Sequence, residues 1–151
     1  TKFNAGNAYN VIPEEALLAG TVRTLDADVR ALAEKRITQI VNNIAQAHDA
    51  EASIHYHRGY PVTFNHADQT DFSVSVAAEI SGADHVDENI APTMGGEGFS
   101  FMLEARPGSF IFIGNGDTAG LHHPAYDFND DIIPLGVTYW VKLAETSLAR
   151  T

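Results

Sequence analysis

Cysteine is absent from this 151-residue chain. That excludes a disulfide framework and any thiolate ligand or nucleophile within it. Basic residues are scarce as well: nine Lys and Arg stand against twenty Asp and Glu, a net charge of −11 with histidine neutral. A surface of that sign repels phosphate backbones and anionic lipid headgroups, and no basic cluster offsets it. Neither nucleic acid nor membrane is expected as a partner. No apolar run approaches the roughly 18 residues of a membrane span. No signal-peptide pattern opens the chain, and a cytoplasmic protein is expected. Internal repeats and low-complexity tracts are missing too. The 44% apolar and 19% charged residues that are present describe a globular chain and not a disordered one. The length suits one ordinary domain or pieces of two.

The segment Thr1-Lys2-Phe3-Asn4 has no initiator methionine and reads as starting inside a strand, so the chain is expected to be a piece of a longer protein. Residues 4–10, rich in Gly and Asn, read as a strand end or turn, and Pro13 punctuates the chain again. Residues 16–24 read as a strand that presents Arg23 from a sheet face. Asp26 is a good N-cap for a helix running to about residue 47, with Val29, Ala33, Ile37, Ile40, Val41 and Ile44 as its apolar stripe. Residues 51–60 alternate like a strand, placing His55 and His57 on one face. Those two are half-exposed strand residues or, with a third ligand, part of a metal site. Strand, helix, strand within 60 residues resembles half of a ferredoxin-like sandwich.

Residues 61–66 read as a linker near a boundary between two structural units. A helix over 67–81 follows, with Phe72, Val76, Ala77 and Ile80 inward and Gly82 as its stop. Gly95 and Gly96 precede a helix expected over 97–105, where Glu97 suits the helix dipole. Exposed N–H groups at such a turn hold an anion or a developing oxyanion, or the turn is plain capping. Residues 109–114 read as a buried strand. They lead into Leu121-His122-His123-Pro124-Ala125-Tyr126-Asp127-Phe128-Asn129-Asp130, a loop that gathers imidazole, phenol and carboxylates at a strand end. His122 is a candidate metal ligand on that loop, or an ordinary loop histidine. A helix from about 132 to 149, with Pro134 in its first turns, is largely apolar through Leu135, Val137, Trp140, Val141, Leu143, Ala144 and Leu148 and is expected to pack on the sheet.

Taken together, Asn10 to Pro13, Gly20 to Thr24, Met94 to Phe99 and Leu121 to Asp130 resemble one family across essentially the whole chain. It is the metal-dependent amidohydrolases and peptidases that include hippurate hydrolase, N-acyl-L-amino-acid amidohydrolases and plant indole-acetyl-amino-acid hydrolases. The resemblance implies a two-domain enzyme: an α/β metallopeptidase-like catalytic domain holding two divalent metals, and an inserted ferredoxin-like α+β lid that also forms a homodimer. Residues 1–62 would be the C-terminal half of the lid and 63–151 the C-terminal part of the catalytic domain. His122 matches a metal ligand. Asn10 and Arg23 match substrate contacts, with Arg23 gripping a carboxylate, and Gly95, Gly96 and Glu97 match a turn beside substrate. Gly98 departs from the pattern, since relatives usually carry Asp there.

The same resemblance places the general base, a pair of glutamates and the remaining ligands in a part of the family's sequence that this chain lacks. The expected activity is hydrolysis of the amide bond of an N-acyl or aromatic-acyl amino acid, with zinc, manganese, cobalt or nickel as the metal. These 151 residues alone are expected to be inactive. The alternative is a non-catalytic module that dimerises or binds a small carboxylate.

Overall fold

The structure, a computed structural model, describes residues 2–149 and divides them into two compact units. One holds the chain up to Val62 together with Pro92–Gly96; the other holds Thr63–Ala91 and the chain from Glu97 onward. Thr1, read as lying inside a strand, is outside the described residues.

In the first unit, β1 (Lys2–Asn4) pairs antiparallel with β2 (Leu17–Ala19), in the register Lys2 to Ala19, Phe3 to Leu18 and Asn4 to Leu17. The strand expected over 16–24 is thus three residues long. A ladder ends where its partner ends, and β1 offers only three residues. The helix α1 (Ala27–Ala47) begins as its cap foretells: Asp26 Oδ1 accepts the amide of Val29 at 2.9 Å. No residue of α1 is fully buried. Ala33 and Ile37 of its apolar stripe are half-buried, while Val29, Ile40 and Ile44 stay exposed.

Residues 51–60 do not form the expected strand, because no neighbouring strand among the described residues offers them a ladder. They are held to α1 by side chains instead. Arg30 Nη2 donates to the carbonyl of Gly59 at 2.7 Å, and Arg58 Nε donates to Glu34 Oε2 at 2.8 Å. The hydrogen bond that Arg58 donates to Glu34, and then the charge of Glu34, hold the guanidinium above its ordinary pKa. The pair is open to water, so it fixes a position more than it adds stability.

The second unit is built on α2 (Ala67–Ser81) and α4 (Ile133–Leu148), which pack on each other. Gly82 stops α2 with a φ of 85°, a conformation that suits a residue without Cβ. Its core is Val76, Leu103 and Tyr139, at 1%, 5% and 6% exposure, with Leu103 supplied by the short helix α3 (Ser100–Ala105). The face of α4 that turns inward carries Tyr139, with Gly136, Leu143 and Thr146 half-buried around it. Val137, Trp140, Val141 and Leu148, expected to pack, are exposed on the other side. Tyr139 takes the core because its hydroxyl finds a buried partner, Ser73 Oγ of α2, at 2.6 Å.

A direct expectation follows from that pair. Ser73→Ala strands the Tyr139 hydroxyl in the core and should cost about 1–3 kcal/mol of unfolding free energy. Adding Tyr139→Phe should recover part of the loss, which a double-mutant cycle in urea reads directly.

Residues 109–114 carry no strand ladder, again for want of a neighbouring strand among the described residues, and run from half-buried to exposed instead of buried. The segment expected to be a plain linker partly replaces one. Asn65 donates its amide to the carbonyl of Phe110 and accepts the amide of Phe110, both at 2.8 Å. His66 adds two contacts to Gly108: its backbone N–H reaches the carbonyl at 3.0 Å, and its Nδ1 accepts the amide at 3.2 Å. Phe110 lies between Phe99 and Phe112, with ring centroids 5.8 and 5.2 Å away. No helix among the described residues is long and apolar enough to cross a membrane.

Candidate functional site

Asn10 sits in the turn at Tyr9 and Asn10, near the apex of a loop from Gly6 to Pro13. The base of that loop is tight. Gly6 takes a φ of 76°, and a Cβ there would stand 3.2 Å from Pro13 Cβ. Glycine therefore meets both the backbone and the packing demand at that point. Asn10 itself is exposed.

Arg23 lies beyond β2, outside any strand, and is exposed. Its Nη1 donates to Thr21 Oγ1 at 2.8 Å. That bond places Thr21 to orient the guanidinium. The remaining donors of a planar fork are the groups that grip a carboxylate in bidentate fashion. Gly95 and Gly96 also belong to this first unit, and a Cβ on Gly96 would lie 3.4 Å from the ring of Tyr60.

Glu97 and His122 belong to the second unit. The helix expected from Glu97 begins at Ser100. Glu97 works ahead of it: Oε1 accepts the amide of Phe99 at 3.1 Å, and its carbonyl accepts Ser100 Oγ at 2.6 Å. The first of these bonds satisfies a backbone N–H at the helix start, where an α-helix leaves donors open.

His122 is exposed and held by two consecutive turns. The amide of His123 bonds the carbonyl of Gly120 at 3.1 Å, and the amide of Tyr126 bonds the carbonyl of His123 at 2.9 Å. His122 is the third residue of the first turn and has a φ of 67°. Positive φ at that place is the type II pattern, and histidine is among the side chains that visit it more readily. Pro124 takes the second place of the next turn, where its fixed φ is already suitable. His123 Nδ1 accepts the amide of Ala125 at 3.1 Å, which commits that ring to the loop. The ring of His122 makes no such bond among the described residues and stands open.

Among the described residues no three His, Cys, Asp or Glu side chains are grouped so as to hold a metal ion. A catalytic metal takes about three protein ligands. The described residues therefore do not by themselves make up a complete metal centre, and His122 is the candidate imidazole that its own loop leaves open. His55 and His57 are exposed on the 51–60 segment, which forms no strand, and are not part of any such group among the described residues.

Two supporting residues escape a reading of the sequence. Thr21 has no signal beyond its spacing from Arg23. Asn115 stands between two glycines after an apolar run, which reads only as a turn. Its side chain nevertheless joins both ends of the His122 loop.

Residues 3–146 match the model of peptidase family M20/M25/M40. The chain belongs to this family. It is 38% identical over 142 residues to hippurate hydrolase of Campylobacter jejuni, across 94% of this chain and 37% of that protein. It is 35% identical over 132 residues to N-acetyl-L-cysteine deacetylase of Bacillus subtilis, across 87% of this chain and 31% of that one. The chain thus spans about a third of the length of the curated relatives it matches. The Bacillus subtilis YXEP protein, a dinuclear metal binding peptidase from the M20 family, has a similar fold, with a TM-score of 0.81 at 28% identity. That match covers 100% of this chain and 41% of the other. The resemblance carried by the Asn10, Arg23, Gly95–Gly96 and His122 motifs is borne out as M20 membership, with the mixed helix and strand that it implies.

Proposed function

We propose that this M20 chain is the C-terminal portion of a dinuclear-metal amidohydrolase that cleaves the amide bond of N-acyl or aromatic-acyl amino acids. The observation that carries the proposal is His122: an exposed imidazole, fixed on a left-handed turn and free of local hydrogen bonds, in a chain of this family. Two divalent metals, when bound, supply Lewis-acid polarisation of the scissile carbonyl. This chain contributes one imidazole to them. Arg23, oriented by Thr21, binds the substrate carboxylate; Asn10 contacts the substrate, and Gly95, Gly96 and Glu97 line the turn beside it.

Residues 1–62 make up the C-terminal half of a lid and dimerisation domain, and 63–151 the C-terminal segment of a catalytic domain. The parting of the two units after Val62 supports that boundary, although Pro92–Gly96 groups with the first unit. Exposed apolar stripes on α1 and on the outer face of α4, and extended segments without a ladder, support further chain and a second copy as their cover.

The lack of a three-ligand group among the described residues favours one other reading, a module that binds a small carboxylate without catalysis. Expression from the native reading frame, with intact mass and assays on N-benzoyl and N-acetyl amino acids, separates the two. Release of free amino acid that stops on chelation and returns with metal supports the hydrolase. No turnover with zinc, manganese, cobalt or nickel, alongside calorimetric binding of a carboxylate that needs Arg23, would establish the module. Turnover by the 16.3 kDa chain alone would overturn the single-imidazole account.

A further inference from the structure

The loop that carries His122 is not held by a hydrophobic core. Leu121 is 74% exposed and Phe128 50% exposed, and no residue from 116 to 128 is fully buried. Its shape comes from polar contacts, and one side chain makes those that close it. Asn115 Nδ2 donates to the carbonyl of Asp127 at 2.7 Å and to Thr118 Oγ1 at 3.0 Å. Its Oδ1 accepts the amide of Asn129 at 2.8 Å. A carboxamide has two donor and two acceptor places, so three of the four are in use. They join positions 12 and 14 residues apart in sequence, with Gly116 at a φ of 88° turning the chain directly after the clamp.

We propose that Asn115 is the positioning residue for His122: its amide closes the loop base so that the turn at 120–123 presents the imidazole at one place and angle. The inference rests on the reading of His122 as a metal ligand. An imidazole on an exposed loop would otherwise pay the entropy of ordering that loop at the moment of binding. The hydrogen bonds of the Asn115 side chain all go to the loop itself. Asp cannot stand in, because a carboxylate would meet the Asp127 carbonyl with an acceptor where a donor is required.

The test uses the full metal-loaded protein that contains this chain, with Asn115→Ala, Asn115→Asp and His122→Ala in parallel. Metal affinity is measured by competition with a chromophoric chelator, beside kcat, KM and the melting temperature of the metal-free form. Loss of a contact that supports a ligand typically weakens metal binding about 10–100-fold, and that is expected for both Asn115 variants, with KM little changed. Metal binding and kcat that stay at the wild-type level in a folded Asn115 variant, while His122→Ala impairs both, would overturn the role of Asn115 and leave the ligand standing. Unaltered metal binding in His122→Ala would instead remove the reading beneath it. Should Asn115→Ala fail to fold, Asn115→Asp decides, since it keeps the volume and the acceptor for Asn129.

Discussion

His122→Ala in the metal-loaded protein is expected to lower turnover by more than about a hundredfold, since even a contact that merely supports a ligand costs that much at its upper end. The same change should barely affect folding. His122 is exposed and its ring makes no hydrogen bond among the described residues, and surface substitutions of that kind stay within about 0.5 kcal/mol. A second variant makes the separation sharper. At a φ of 67°, a residue with a Cβ is strained by roughly 1–2 kcal/mol relative to a relaxed conformation, and glycine is not. His122→Gly should therefore raise the melting temperature of the metal-free protein slightly while abolishing turnover. Stability and activity would move in opposite directions, which general disruption of the loop cannot produce. A His122→Gly protein that keeps wild-type turnover would end the assignment of the ligand.

The second large effect is expected at Arg23. Arg23→Ala should raise KM for an N-acyl amino acid by roughly 10- to 150-fold, the equivalent of the 1.5–3 kcal/mol that a hydrogen bond to a charged group contributes. Arg23→Lys should recover only part of this, because an ammonium keeps the charge and loses the planar fork. The decisive comparison is a substrate whose carboxylate is converted to an amide. Wild type and both variants should handle that compound alike, since the group proposed as the partner of Arg23 is gone. If the variants lose as much on the amide as on the acid, Arg23 serves the fold and not the substrate. Its exposed position, with one hydrogen bond to Thr21, argues for the substrate.

The helices were legible because their signals are local. Asp26, Gly82 and Pro134 mark ends that the structure places within a residue or two, and the periodic spacing of α1 and α2 shows through composition alone. The extended segments were legible only as tendencies. Alternation at 51–60 and the apolar run at 109–114 announce strand-forming residues, but a strand exists only where a second strand lies alongside. Periodicity also misjudged α4, which has apolar residues on both sides; the buried hydrogen bond from Tyr139 to Ser73 selects the face, and no spacing rule sees it. At the site, His122 and Arg23 stood out by residue type and motif. The left-handed φ of His122 and the grip of Asn115 did not, because both arise from closing the loop between residues 115 and 129.

That closure also decides how far the placement of the imidazole depends on distant sequence. Among the described residues, the hydrogen bonds that close the segment from Asn115 to Asn129 run within it, across at most 14 residues. Closing so short a loop is entropically modest, and doubling its length would add only about 0.6 kcal/mol. The geometry of His122 is therefore short-range information. The backbone turn that carries His122 is thus written between Asn115 and Asn129, close to the residue it places.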